Sequence, residues 1–150
     1  MTDDLSYNIK NYRAVVSGDL VKVYNEKTSI SIDSPISFDS MKDEFTSIDY
    51  LLSSIVSEII LTMLRLGKKR GEILQDIEAK ASLKIANPLY LLNVYGYEDE
   101  SYIEYINIDI YFFSFLTGED LDSFLAEVLA RTLIYNTFKD KIRVNFKTVL

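Results

Sequence analysis

The stretch TSIDYLLSSIVSEIILTMLRLGKKRG, residues 46–71, decides how this chain is read. Ile48, Leu51, Leu52, Ile55, Val56, Ile59, Ile60, Met63, Leu64 and Leu66 recur at helical spacing. Thr46 or Ser47 can cap the start, and Asp49 lies in the first turn, where a carboxylate meets orphan amides. Lys68-Lys69-Arg70 complement the negative end of the macrodipole before Gly71 stops the helix. Apolar residues cover almost the whole circumference, so the helix is expected to be buried on most sides. One thin polar stripe interrupts them: Ser54, Glu58 and Thr62 at i+4 steps, continued by Arg65 and Lys69. The polar breaks at Asp49, Ser53, Ser54, Ser57, Glu58 and Arg65 argue against a membrane span.

Towards the N-terminus the period changes from helix to strand. Tyr12, Ala14 and Val16 share a parity, Gly18-Asp19 makes a turn, and Leu20, Val21 and Val23 follow. Asn25-Glu26-Lys27 makes a second turn before Ser29-Ile30-Ser31-Ile32-Asp33, which alternates as a half-buried strand should. Pro35 ends it, since proline cannot donate to a ladder. The chain thus opens with a three-stranded antiparallel meander. A loose polar arm at 1–9 precedes it and a polar loop at 38–45 follows. Towards the C-terminus, 73–85 reads as a strand ended by Asn87-Pro88. Residues 89–95 and 102–115, rich in Ile, Tyr, Phe and Val, read as two more strands joined by a polar loop at 96–101. Thr117-Gly118-Glu119-Asp120 resembles a capping box, opening a second helix that reaches about Phe138. Ile142, Val144 and Phe146 alternate in a last strand. The order βββ-α-ββ-α-β makes an α+β fold, one domain over 1–150, with two long helices packed on an antiparallel sheet.

Composition then removes whole classes of chemistry. The 150 residues include neither Cys nor His. There is no thiolate nucleophile, no disulfide and no imidazole base. A protein-made zinc site would have to be carboxylate-only, so no metal is expected. No Gly-rich phosphate loop is present, so no nucleotide cofactor is expected. The acidic groups Glu98-Asp99-Glu100 and Glu119-Asp120-Asp122 match no EF-hand spacing and read as solvated charge. The net charge of −7 repels phosphate backbones and anionic membranes. We therefore expect a cytoplasmic protein with neither nucleic acid nor membrane as partner. Met1-Thr2-Asp3-Asp4 does not read as a signal peptide.

The element order and several local phrases resemble the OsmC family, which includes the organic hydroperoxide resistance proteins. The resemblance lies in Ser31-Ile32-Asp33-Ser34-Pro35 closing the meander and in Ser47-Ile48-Asp49-Tyr50-Leu51-Leu52 opening the central helix, with Ser47 in the place of the family's proline. It continues in Thr117-Gly118-Glu119-Asp120-Leu121 opening the second helix. It implies an intertwined homodimer with clefts at the subunit interface. Family peroxidases use two cysteines, one on each long helix. By register Glu58 takes the place of the first, and Thr132 lies within about a residue of the second. The family's activating arginine would correspond to Arg13, the only arginine near the N-terminal strands. A carboxylate and a hydroxyl cannot run that two-electron cycle. The resemblance therefore implies the fold without thiol peroxidase activity.

The expected function is a non-peroxidase homodimer that binds a small apolar or amphipathic ligand in the interface cleft. One alternative is an enzyme using Glu58 for acid/base chemistry; another is a residual role in a stress or hydroperoxide response. The candidate site residues are Glu58, Asp49, Thr132 and Arg13. Each has a plainer reading. Glu58 can be a structural ion-pair partner of Arg13, Arg65 or a cation of the second subunit. Asp49 can be a helix-start charge, and Thr132 a hydroxyl bonded back to its own helix. The aromatic set Tyr90, Tyr95, Tyr102, Tyr105, Tyr111, Phe112, Phe113 and Phe115 reads mostly as strand packing, with some rings lining a cleft.

Overall fold

A computed structural model describes residues 7–36 and 44–149. The first part of the expected N-terminal arm and most of the 38–45 loop lie outside the described residues. The chain divides into two units, Met1–Asp49 and Tyr50–Leu150.

The first unit holds the meander: β1 (Arg13–Ser17), β2 (Leu20–Tyr24) and β3 (Ser29–Ile32). The three strands are antiparallel in sequential order. Gly18, at φ 63°, supplies the left-handed backbone of the tight β1–β2 turn. In the β2–β3 turn the Asn25 side chain accepts from the Lys27 and Thr28 amides at 2.8 and 2.7 Å. Beyond β3, Asp33 donates its amide to the Phe45 carbonyl at 3.0 Å and accepts from the Ser47 amide at 3.3 Å. That ties the end of the meander to the start of the next helix.

The second unit contains most of α1 (Ser47–Arg70), then β4 (Leu74–Ala86), α2 (Pro88–Leu91), β5 (Tyr102–Ser114), α3 (Gly118–Ala130), α4 (Leu133–Phe138), a 3-10 turn (Lys139–Lys141) and β6 (Ile142–Thr148). Strand β5 is central and alternates strictly: Ile106, Ile108, Ile110 and Phe112 all face the core. Ile55, Ile59, Met63 and Leu66 of α1 meet them, with Phe124 and Val128 of α3 and Ile142 of β6. Each such side chain contributes roughly 1.5–3 kcal/mol by leaving water. The hydroxyls on the α1 stripe do not need water. Ser54 donates to the Leu51 carbonyl at 2.6 Å, and buried Thr62 to the Glu58 carbonyl at 2.7 Å.

The α+β architecture is the expected one, but five local expectations are corrected. Strand β6 pairs with β5 in parallel, while β4 pairs with it antiparallel. A β–helix–β crossover through α3 and α4 brings the chain back in the same direction. The strand expected over 89–95 is instead α2 and turns. Asn87 sits at φ 54°, and Pro88 at the first helical positions favours a helical start. The capping box at Thr117 does not form; its side chain makes no cap bond. The second helix is two helices, broken at Arg131 and Thr132. The aromatic set is also less buried than expected: Phe112 is fully buried, whereas Tyr95 is fully exposed and Phe115 is 70% exposed.

Candidate functional site

The break between α3 and α4 is where two of the four candidate residues, Glu58 and Thr132, meet. At the end of α3, Thr132 is fully buried, and its Oγ1 donates to the Val128 carbonyl at 2.9 Å. That is the back-bond expected of it. Thr132 also occupies the N-cap position of α4, but its side chain makes no cap bond there. The first amides of α4 thus need another acceptor.

Glu58 supplies it. Its Oε1 accepts from the Leu133 amide at 2.9 Å and its Oε2 from the Ile134 amide at 2.9 Å. Both oxygens of a half-buried carboxylate on α1 are aimed at the positive end of a helix 75 residues away in sequence. The rest of the junction is paired too. Asn136 donates its side-chain amide to the Ala130 carbonyl at 2.7 Å, and the Thr137 hydroxyl donates to the Leu133 carbonyl at 2.9 Å. Glu127 takes the Arg131 guanidinium at 2.8 Å and also that of Arg70, which lies over the Phe124 ring. Chemically the junction is an anion held by two backbone N–H donors, and the anion is the protein's own.

The other two candidates lie elsewhere. Asp49 closes a reciprocal cap at the start of α1. Its Oδ2 accepts from the Thr46 amide at 2.9 Å, and its own amide donates to Thr46 Oγ1 at 3.2 Å. Arg13 stands on exposed β1 with its guanidinium 5.7 Å from the centre of the Tyr24 ring. The Leu133 and Ile134 amides, the groups that Glu58 engages, had no signal in the sequence, because every residue carries an amide. Among the described residues no group of three or more acidic side chains is placed to hold a metal ion.

No protein-family model and no curated protein sequence matches the chain. Solved structures match along nearly its whole length. The OsmC-like protein from Mycoplasma pneumoniae superposes with a TM-score of 0.71 at 15% identity, covering 95% of this chain and 97% of its own. The fold is OsmC-like. An organic hydroperoxide resistance protein OsmC from Legionella pneumophila matches with a TM-score of 0.62 at 8% identity, over 95% of this chain and 98% of that one. The organic hydroperoxide resistance protein OhrB of Bacillus subtilis gives 0.59 at 9%, over the same shares. On this OsmC-like fold two of the candidates from the sequence, Glu58 and Thr132, adjoin each other at the α3–α4 junction.

Proposed function

We propose that the chain is a non-peroxidase OsmC-like protein, a single cytoplasmic domain acting as a homodimer that holds a small apolar or amphipathic ligand in an interface cleft. The observation that carries this reading is the bidentate seat of Glu58. Where a peroxidase of this fold would present a thiolate, a carboxylate is pinned by two amides. Both oxygens already have donors, which disfavours a free acid/base role.

The dimer and its cleft draw support from apolar surface that a lone chain leaves in water. On α1, Leu61 is 62% and Leu64 45% exposed, and Val16 on β1 is 74% exposed. Leu64, Gly67, Lys68, Glu72, Ile73 and Leu74 line an open hollow of about 280 Å³ where α1 meets β4. Its lining is mostly apolar, with the charged groups of Lys68 and Glu72 beside Leu64, Ile73 and Leu74. Among the described residues α1 is the one helix long and apolar enough to cross a membrane. We read it as a core helix, because Ile55, Ile59, Met63 and Leu66 are already packed against the sheet.

Native mass spectrometry of gently purified protein tests the reading. A dimer carrying additional mass supports it, and a monomer overturns it. Hydroperoxide consumption with a dithiol reductant is expected to be absent; robust turnover would refute the non-peroxidase assignment.

A further inference from the structure

The face of the β4–β5–β6 sheet turned away from the core has its own pattern. Pairing places Lys84 beside Tyr105, Asn107 between Ser82 and Arg143, Asp109 between Lys80 and Asn145, and Tyr111 between Glu78 and Lys147. Four cations therefore mark the corners of a parallelogram: Lys80 and Lys84 on one outer strand, Arg143 and Lys147 on the other, offset by two residues along the strands. Its long side is four strand residues, about 13 Å; the two outer strands lie about 10 Å apart, and the offset between the pairs is about 7 Å. With Lys141, whose ammonium lies 5.5 Å from the Tyr102 ring centre, the face carries five cations against the carboxylates of Glu78, Glu104 and Asp109. It does so in a chain of net charge −7.

The cations are held in place. Tyr105 stands between Arg143 and Lys84, at 4.7 and 5.9 Å from its ring centre. Tyr111 stands between Lys147 and Lys80, at 5.1 and 5.7 Å. In the middle, Asn145 donates to Asp109 at 2.9 Å and to Asn107 at 3.3 Å. Lys84 pairs with Glu104 at 3.0 Å and Lys147 with Asp109 at 3.3 Å. Lys80 and Arg143, on opposite outer strands, are exposed and pair with no carboxylate among the described residues.

We propose that this sheet face docks an extended acidic polypeptide segment carrying carboxylates on alternate residues. Same-side residues of an extended chain four positions apart are also about 13 Å apart, which matches the spacing of the two cations on each outer strand. The Arg143 fork suits a carboxylate with two parallel bonds. Nucleic acid fits less well, because cations already cover the ring faces on which bases would stack.

The test is a titration of the full chain against a labelled peptide of alternating Glu and Thr, followed by fluorescence anisotropy. Saturable binding that weakens with added salt is expected. The double variant Lys80→Glu/Arg143→Glu should lose about tenfold or more in affinity, as removal of two rim charges does. The double variant Lys10→Glu/Lys27→Glu, in the first unit, should bind as the parent does. Circular dichroism confirms that both variants fold. Absence of saturable binding, equal losses in the two variants, or tighter binding of an oligothymidylate of matched charge would each overturn the proposal.

Discussion

Glu58 shows how little a side chain's type says about its duty. A carboxylate on an apolar helix reads as a cleft acid or half of an ion pair, and its actual partners are two peptide amides. Glu58→Gln keeps the shape but puts an N–H donor where an acceptor is needed. We expect it to lower stability by about 1–2 kcal/mol. In a chain of this length that is a fall of about 2–8 °C in Tm. An unchanged melting curve would remove the cap from the account. On the open sheet face, the Asn145 amide and then the Lys147 ammonium hold the Asp109 carboxyl below the usual carboxylate range. A group depressed in the folded state contributes stability above its unfolded value, near pH 3.9, which is lost as pH falls through the folded value. Asp109→Asn should therefore flatten the loss of Tm on acidification below about pH 4, read by thermal melts across pH.

At the scale of elements, the periodicities of α1, β5 and β6 were legible because one face of each is committed to the core. The failures came where local signals compete. Leu89 to Val94 carries strand formers, yet Asn87 in a left-handed conformation and Pro88 turn it into helix and turns. The break in the second helix was not legible at all. Arg131 and Thr132 do not break helices by type. The interruption coincides with a carboxylate from α1 bonded to the first two amides of α4. Hydrogen exchange should report it: the Leu133 and Ile134 amides should be protected in the parent protein and exchange at least about tenfold faster in Glu58→Ala, since one lost charged bond is worth about 1.5–3 kcal/mol. Equal protection in both proteins would mean that α4 stands without Glu58.

For the whole molecule, the exposed apolar surface of α1 is the feature to explain. If a second copy covers it, Leu61→Glu should move the native mass from dimer to monomer while the circular dichroism spectrum is kept. A dimer that survives that change would put the interface elsewhere. The same surface at Leu64 and Ile73 lines the hollow beside Gly67. A Cβ on Gly67 would come within 3.1 Å of Leu74 Cδ1, so the helix and the start of β4 approach closely there.

By itself the sequence determined the fold class and excluded thiol and imidazole chemistry. Both follow from periodicity and composition, which are properties of residues counted along a line. Only the tertiary structure decided that β6 runs parallel to β5, that α3 and α4 are separate, and that Glu58 is a cap. Those three depend on backbone amides and strand directions far apart in sequence. Every residue carries the same amide, so nothing but the fold can say which two of them a carboxylate will find.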